Sequence, residues 1–333
     1  MHNYYFLIIS KENLFNAYYE FRKGKRHRAE VAFFELDLEE NILEIYERLH
    51  NGEYKHGSYI QFIVRDPKPR IIHKATISDR IVHQAIYRVL NKIFDKTFIN
   101  DSYSSRVGKG THSAIKILEY FVSKKKRRKC CYGTKMDIKK FFNSIDHDLL
   151  KRQINRKIKC EKTLQLIGEI INSYHSVNGK GLPLGNVTSQ LFANIYLNEL
   201  DRFVKLDLKI KQYIRFCDDF IIVGENIKVT DLEAIKDFLK KRLLLKIKDD
   251  NLKIRKLKWG LDYLGVVMLP HHKIIRKKTK NRLLRKIKQS HADYLSSRIT
   301  LEKFAKMKQS YLGHLSHTNS RIICQYIEGK YGK

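Results

Sequence analysis

The chain has 333 residues, with 67 Lys and Arg against 35 Asp and Glu, a formal net charge of +32. At this length it forms two or three domains or one multilobed one, and 43% apolar residues with only 4 prolines exclude a low-complexity polymer. No run approaches the ~20 apolar residues that span a bilayer, the N-terminus lacks the flanks of a secretory signal, and 5 cysteines without C-x-x-C spacing exclude a disulfide framework or zinc site. A reducing, cytoplasmic setting is expected.

In chain order, Leu14 to Lys23 reads as a helix that Gly24 ends, and Asn41 to Leu49 as an amphipathic one. Ile60 to Val64 and Arg70 to His73 flank the Asp66-Pro67-Lys68-Pro69 turn and predict a basic hairpin. Asp79 to Phe94 and Thr111 to Lys124 are predicted helices, and Cys130 to Ile138 a short strand. A helix starts at Asp146, and Asn186 or Thr188 caps a strong one running through Phe203. Tyr213 to Phe216 and Phe220 to Val223 are apolar strands, followed by a helix near Asp231 to Leu243 and strands at Leu243 to Ile247 and Tyr263 to Met268. Beyond Pro270 two basic helices are expected, one with Leu284, Ile287, His291 and Leu295 on a face, the other with Leu301, Phe304, Ala305, Leu312 and Leu315.

A charge of +32 repels itself, so a polyanion is the expected partner, nucleic acid before an acidic membrane surface. The basic residues are spread along the chain, with runs at Lys124 to Lys129 and Arg276 to Lys288, which suits a folded body with a positively lined groove. Against that background three acids stand out. Asp218 and Asp219 sit between two apolar strands, and Asp137 follows a third. Each has a bland alternative, a solvated turn for the pair and a helix N-cap for Asp137. Together, three hard oxygen donors from neighbouring strands suit Mg²⁺, which keeps waters and binds substrate phosphates. Two such ions would clamp both oxygens of an in-line phosphoryl displacement. The run from Gly181 to Gln190 fixes a turn at a helix entrance, a backbone surface for a bound nucleotide.

Asp137 with Phe141-Phe142, then Leu182-Pro183-Leu184-Gly185 with Ser189-Gln190, then Phe216-Cys217-Asp218-Asp219 resemble motifs A, B and C of reverse transcriptases, in their order and spacing. Arg70, the Ser78-Asp79-Arg80-Ile81-Val82 helix, Ser102 to Arg106 and Gly260 to Gly265 resemble further motifs, so the likeness spans nearly the whole chain. An aliphatic residue before Gly185 and Gln after Ser189 resemble the diversity-generating retroelement group, as do Leu191 to Asp201 and Ser310 to Leu315.

The resemblance implies an α+β right-hand polymerase with a ferredoxin-like antiparallel palm sheet: fingers 1–128 with 148–182, palm 129–147 with 183–270, and a helical thumb 271–333. The chain is expected to end soon after the thumb, without an RNase H or HNH domain. The implied activity is RNA-directed DNA synthesis, copying a template-repeat RNA into cDNA with errors at adenines, in a bacterial host or from a phage. Other bacterial reverse transcriptases (retron, group II intron-like, phage-defence) and a non-catalytic RNA-binding scaffold are the alternatives. Implied partners are template RNA, the cDNA primer duplex, dNTPs and a small basic accessory variability protein that forms a pentamer. By the same resemblance Asp137, Asp218 and the Ile138 carbonyl hold two Mg²⁺ ions (or Mn²⁺), while Asp219 either binds metal or shapes the field. Lys68 and Arg70 pair with the triphosphate. Phe142 matches the steric gate against ribose, Leu184 and Gly185 line the nucleotide, and Ser189 and Gln190 face the template. Lys277, Lys278, Lys280, Arg282 and Arg285 grip the duplex phosphates. The group's general-acid lysine falls at Asn251, with Lys253 two residues on.

Overall fold

Helical periodicity governs the first hundred residues of the computed structural model, which describes residues 3–124, 131–248 and 254–331. α1 (Tyr4–Ile9) leads into α2 (Lys11–Phe21), whose N-cap Ser10 accepts from the Asn13 amide. α3 (Ala29–Leu36) and α4 (Leu38–His50) precede an antiparallel hairpin of β1 (Ile60–Val64) and β2 (Arg70–Lys74). α5 (Ile77–Phe94) is capped by Thr76 and buries Ile81, Val82, Ala85, Ile86 and Leu90. Next come α6 (Thr111–Ser123), β3 (Tyr132–Asp137), α7 (Phe141–Ser144), α8 (His147–Asn155) and α9 (Glu161–Asn172). α10 (Val187–Arg202) runs on through a wider π turn at Phe203–Asp207. β4 (Tyr213–Phe216), β5 (Asp219–Gly224), α11 (Val229–Arg242) and β6 (Arg255–Lys256) follow. The chain continues with β7 (Leu261–Tyr263), β8 (Val266–Met268), β9 (Lys273–Ile275), α12 (Lys277–Leu295), α13 (Leu301–Ser316) and α14 (Arg321–Tyr331).

These elements form two compact units. The first comprises Met1–Ser105, Ile138–Lys209 and Leu232–Ile247. Its core gathers α2 and α10 around α5, and α10 is buried continuously from Leu191 to Leu197. The second comprises Arg106–Asp137, Ile210–Asp231 and Lys248–Lys333. It holds an antiparallel sheet in the order β4-β5-β3-β6, the strand order of a ferredoxin-like sheet, and a smaller β7-β8-β9 sheet. Among the described residues, no helix is long and apolar enough to cross a membrane.

Several expectations change. Leu243 to Ile247 is not a strand: the Leu245 amide bonds back to the Leu239 carbonyl around a left-handed Leu244, so these leucines cap α11, and Ile247 makes a single bridge to Ile138. Tyr263 to Met268 is a hairpin, because Leu264 and Gly265 both take positive φ. The C-terminus carries three helices, and its core is Ile275, Leu283, Ile287, Phe304, Leu315, Ile327 and Tyr331. Leu295 and Leu301 are exposed and Ala305 lies off this core, because α14 supplies Ile327 and Tyr331 to fill it. Asn186 takes the N-cap position of α10 without a capping bond, and Thr188 lies inside the helix. α1, α3 and α9 have no counterpart in the sequence reading. Cys130, Lys125 to Lys129, Asn251 and Lys253 lie outside the described residues.

Candidate active site

β4 and β5 are both buried and apolar, and their connection is as short as a hairpin allows. Phe216 and Asp219 form the last pair, which leaves Cys217 and Asp218 as the turn. Cys217 has a φ of +57°. A positive φ at the first turn residue alone is the pattern of a II′ turn, where glycine is the usual occupant. A cysteine there stores roughly 1–3 kcal/mol of strain. Arg215, wholly buried in β4, donates to the Cys217 carbonyl at 3.1 Å and braces the tip from beneath.

On the other flank of β5, β3 sets Asp137 directly opposite Asp219. Like charges in that position destabilise a sheet. The stress falls on Asp218: burial first, then the charges of Asp219 and Asp137, push its carboxyl up to about 6. Burial and the Asp218 charge push the Cys217 thiol up to about 12. Lys135 reaches diagonally across the strands, its Nζ 3.0 Å from Asp219 Oδ2, so Asp219 has a cation of its own.

Among the described residues, no three His, Cys, Asp or Glu side chains converge as ligands of one ion. The chemistry of the donors nevertheless fits a hard divalent cation. Asp137 and Asp218 offer half-buried carboxylate oxygens whose repulsion such a cation would cancel, with carbonyls and water to complete the shell. Ile138, one residue beyond β3, is buried and bridges Ile247.

The remaining predicted residues of the nucleotide site lie in the first unit. Lys68 and Arg70 are exposed on the β1–β2 hairpin. Phe142 is half-buried, its ring 5.3 Å from that of Phe141, and its carbonyl accepts the Leu182 amide at 2.8 Å. The Leu184 carbonyl accepts the His73 amide at 2.9 Å. Gly185 has φ +132°, and a Cβ there would stand 3.0 Å from the His73 carbonyl oxygen, so the loop lies flat against β2 only because this residue is glycine. Ser189 is buried and Gln190 exposed. The structure thus brings Asp137, Asp218 and Asp219 together on one sheet, and Leu184 and Gly185 against the root of the hairpin that carries Arg70. In the second unit, Lys278, Arg282 and Arg285 form a stripe along α12 at helical spacing, flanked by Lys277 and Lys280. Sequence reasoning passed over Lys135 and Arg215. A lone arginine inside the apolar run Tyr213-Ile214-Arg215-Phe216 was the available signal.

Residues 65–268, more than half of the chain, match the family model described as reverse transcriptase (RNA-dependent DNA polymerase). The chain belongs to the reverse transcriptase family. The matched reverse transcriptase domain includes β2, the whole β4–β5 hairpin and all three aspartates, and with it comes the right-hand polymerase fold expected from the motifs. The chain is 32% identical over 183 residues to the group II intron-encoded protein LtrA of Lactococcus lactis subsp. cremoris, a match that covers 52% of this chain and 29% of that protein. Protein YkfC of Escherichia coli K12 is 24% identical over 245 residues, 61% of this chain and 62% of its own length. The chain therefore spans less than a third of LtrA and less than two thirds of YkfC. Among solved structures, apo telomerase from Candida tropicalis shares the fold, with a TM-score of 0.51 and 13% identity over 71% of this chain and 53% of that one.

Proposed function

We propose that this reverse transcriptase domain is an active RNA-directed DNA polymerase that extends a DNA primer on an RNA template. The observation that carries the proposal is the paired placement of Asp137 and Asp219 on adjacent strands, with Asp218 at the strained tip beside them. This arrangement costs stability and has a use only where a cation and a polyphosphate arrive. Asp137 and Asp218, with the Ile138 carbonyl, would hold Mg²⁺ or Mn²⁺; when bound, the metal supplies Lewis-acid stabilisation of the transferring phosphoryl group. Lys135 keeps Asp219 engaged, so its role is to set the field. Arg70 and Lys68 take the triphosphate, and the Arg70 fork donates to its oxygens bidentately. Phe142 excludes a ribose 2′-hydroxyl. Ser189 and Gln190 serve the template side, and the α12 stripe of Lys277, Lys278, Lys280, Arg282 and Arg285 holds duplex phosphates without reading sequence. In hand terms, we assign the fingers to 1–128 with 148–182, the palm to 129–147 with 183–270 and the thumb to 271–333.

Within the family we assign the chain to the diversity-generating retroelement group, with adenine-directed errors. Leu184 supports this. An aliphatic side chain makes no hydrogen bonds to the pairing nucleotide, and losing a polar contact weakens discrimination by ~1–3 kcal/mol. The accessory protein proposed for this group is itself basic, so it and a chain of +32 would meet on shared RNA rather than by charge. The likeness to LtrA favours a second reading, a group II intron-like polymerase that copies faithfully. Primer extension on an RNA template with Mg²⁺ and dNTPs, followed by product sequencing, separates them. Errors concentrated opposite template adenines and reduced by Leu184→Gln support the retroelement assignment. Accurate copying supports the group II reading. RNA binding with no incorporation overturns the polymerase.

A further inference from the structure

The loop that carries Leu184 and Gly185 is anchored by a chain of buried polar groups from three distant segments of the first unit. The His83 side chain is 1% exposed, with its Nδ1 2.6 Å from Thr188 Oγ1 on α10. Its Nε2 lies 3.1 Å from Nε2 of His56. His56 in turn has Nδ1 2.6 Å from the Gly57 carbonyl oxygen. Tyr59 closes the circuit, its hydroxyl 3.2 Å from His56 Nε2, 2.8 Å from Ser173 Oγ and 3.3 Å from Asn186 Nδ2. Asp79 holds the segment ahead of this, accepting from Tyr54 at 2.8 Å and from the Gly57 amide at 3.2 Å.

With both rings neutral, the His56–His83–Thr188 links admit one proton arrangement. A carbonyl only accepts, so His56 carries its proton on Nδ1 and leaves Nε2 bare. His83 must then donate from Nε2, and its bare Nδ1 must accept from Thr188. The links through His56, His83 and Thr188 each have a fixed direction, and at the far end of the circuit Asn186 takes the N-cap position of α10 and Thr188 lies in its first turn. The Leu184–Gly185 loop immediately before that turn is also pinned by the His73 amide.

We propose that His83 and His56 are positioning residues for nucleotide selection: their relay fixes the tautomers and the Thr188 hydroxyl so that the Leu184–Gly185 backbone is held in one conformation. The proposal rests on the polymerase reading for its kinetic consequence, but not for its structural one. A rigid loop backbone can discriminate by shape where Leu184 offers no hydrogen bond.

The test uses the full chain with His83→Ala, Thr188→Val and His83→Gln. Thr188→Val keeps volume and removes only the hydroxyl, which guards against a misfolded His83→Ala. Amide hydrogen exchange at Gly185 to Ser189 should quicken roughly fivefold to tenfold in Thr188→Val and His83→Ala, and His83→Gln, which can still accept and donate, should restore much of the protection. In single-nucleotide extension the same variants should raise the dNTP KM and the misincorporation ratio by a similar factor, while kcat at saturating correct dNTP and the Kd for template–primer stay within about threefold. Unchanged exchange at these amides overturns the proposal. So does a parallel loss of kcat and template–primer binding, which marks a general packing role. A wild-type chain that incorporates nothing but shows the exchange response sinks the polymerase reading and leaves the relay standing.

Discussion

Two hairpins of this molecule share a topology and differ in almost everything else. Every residue of β1 is exposed, including Ile60, Phe62 and Ile63, and β2 buries only His73. β4 and β5 bury Tyr213, Ile214, Phe220, Ile221, Ile222 and Val223, and expose little beyond the turn. The second hairpin is held by its core and spends that rigidity on placing Asp218. The first has no core of its own. Most of its apolar and basic side chains face outward, and its root is held where His73 meets Leu184 and Lys74 pairs with Glu30. A rigid hairpin suits groups that must hold a cation at fixed distances. A loosely supported one suits groups that must close on a ligand and let it go.

The largest effect should come from the rigid tip. If Asp218 holds the metal as proposed, Asp218→Asn should lower primer extension by about 10³-fold or more, the loss of several kcal/mol of transition-state stabilisation. The melting temperature should hold or rise slightly, because burial and two like charges already strain the ionised form. A fall in melting temperature with activity intact would break the contrast. Next, Phe220→Ala should cost about 3–5 kcal/mol in urea unfolding, against at most about 0.5 kcal/mol for Phe62→Ala on the open hairpin. Equal costs would mean that β1 is better supported than its exposure implies. Third, Arg70→Ala should raise the dNTP KM roughly 10–100-fold with no change in unfolding midpoint, the loss of one charge-assisted contact.

The smallest effect lies at His83, buried on α5 against Thr188 of α10. Burial first, and then the nearby His56, lower the pKa of His83 to about 3. An unfolded histidine titrates near about 6.5. Between those values the unfolded chain holds the extra proton, so the stabilisation is complete above about pH 6.5. It is lost as pH falls toward 3, by about 1.4 kcal/mol per pH unit. Asp218, raised to about 6, contributes in the opposite sense over this window, so the slope is read as the difference in urea midpoints between the wild-type chain and His83→Gln from pH 7 to pH 5.

Much of the rigid hairpin was legible in the sequence. Its strands are short apolar runs, and the two aspartates between them, which alone read equally well as a solvated turn, point to a site once Asp137 at the end of a third apolar run joins them. The open hairpin was legible too, from its Pro-rich turn. What escaped was whatever depends on contacts far apart in the chain. His83 and Thr188 are 105 residues apart, and neither stands out locally. Lys135 looks like one more lysine in a basic chain until β5 places Asp219 within its reach. Leu243 to Ile247 misled because consecutive leucines read alike in a buried strand and in a buried helix cap. α14 was missed because its exposed Ile322 and Tyr326 blur the apolar period of the helix.

The left-handed Cys217 sets up an evolutionary trade-off. Cys217→Gly would make the same turn without a Cβ, and a screen for heat resistance would favour it early, since relaxing a strained position is among the easiest gains open to a natural protein. The added backbone freedom would let the neighbouring carboxylate drift. Variants selected for melting temperature alone should therefore converge on this tip and become slower enzymes, whereas selection on copying rate should preserve a side chain there.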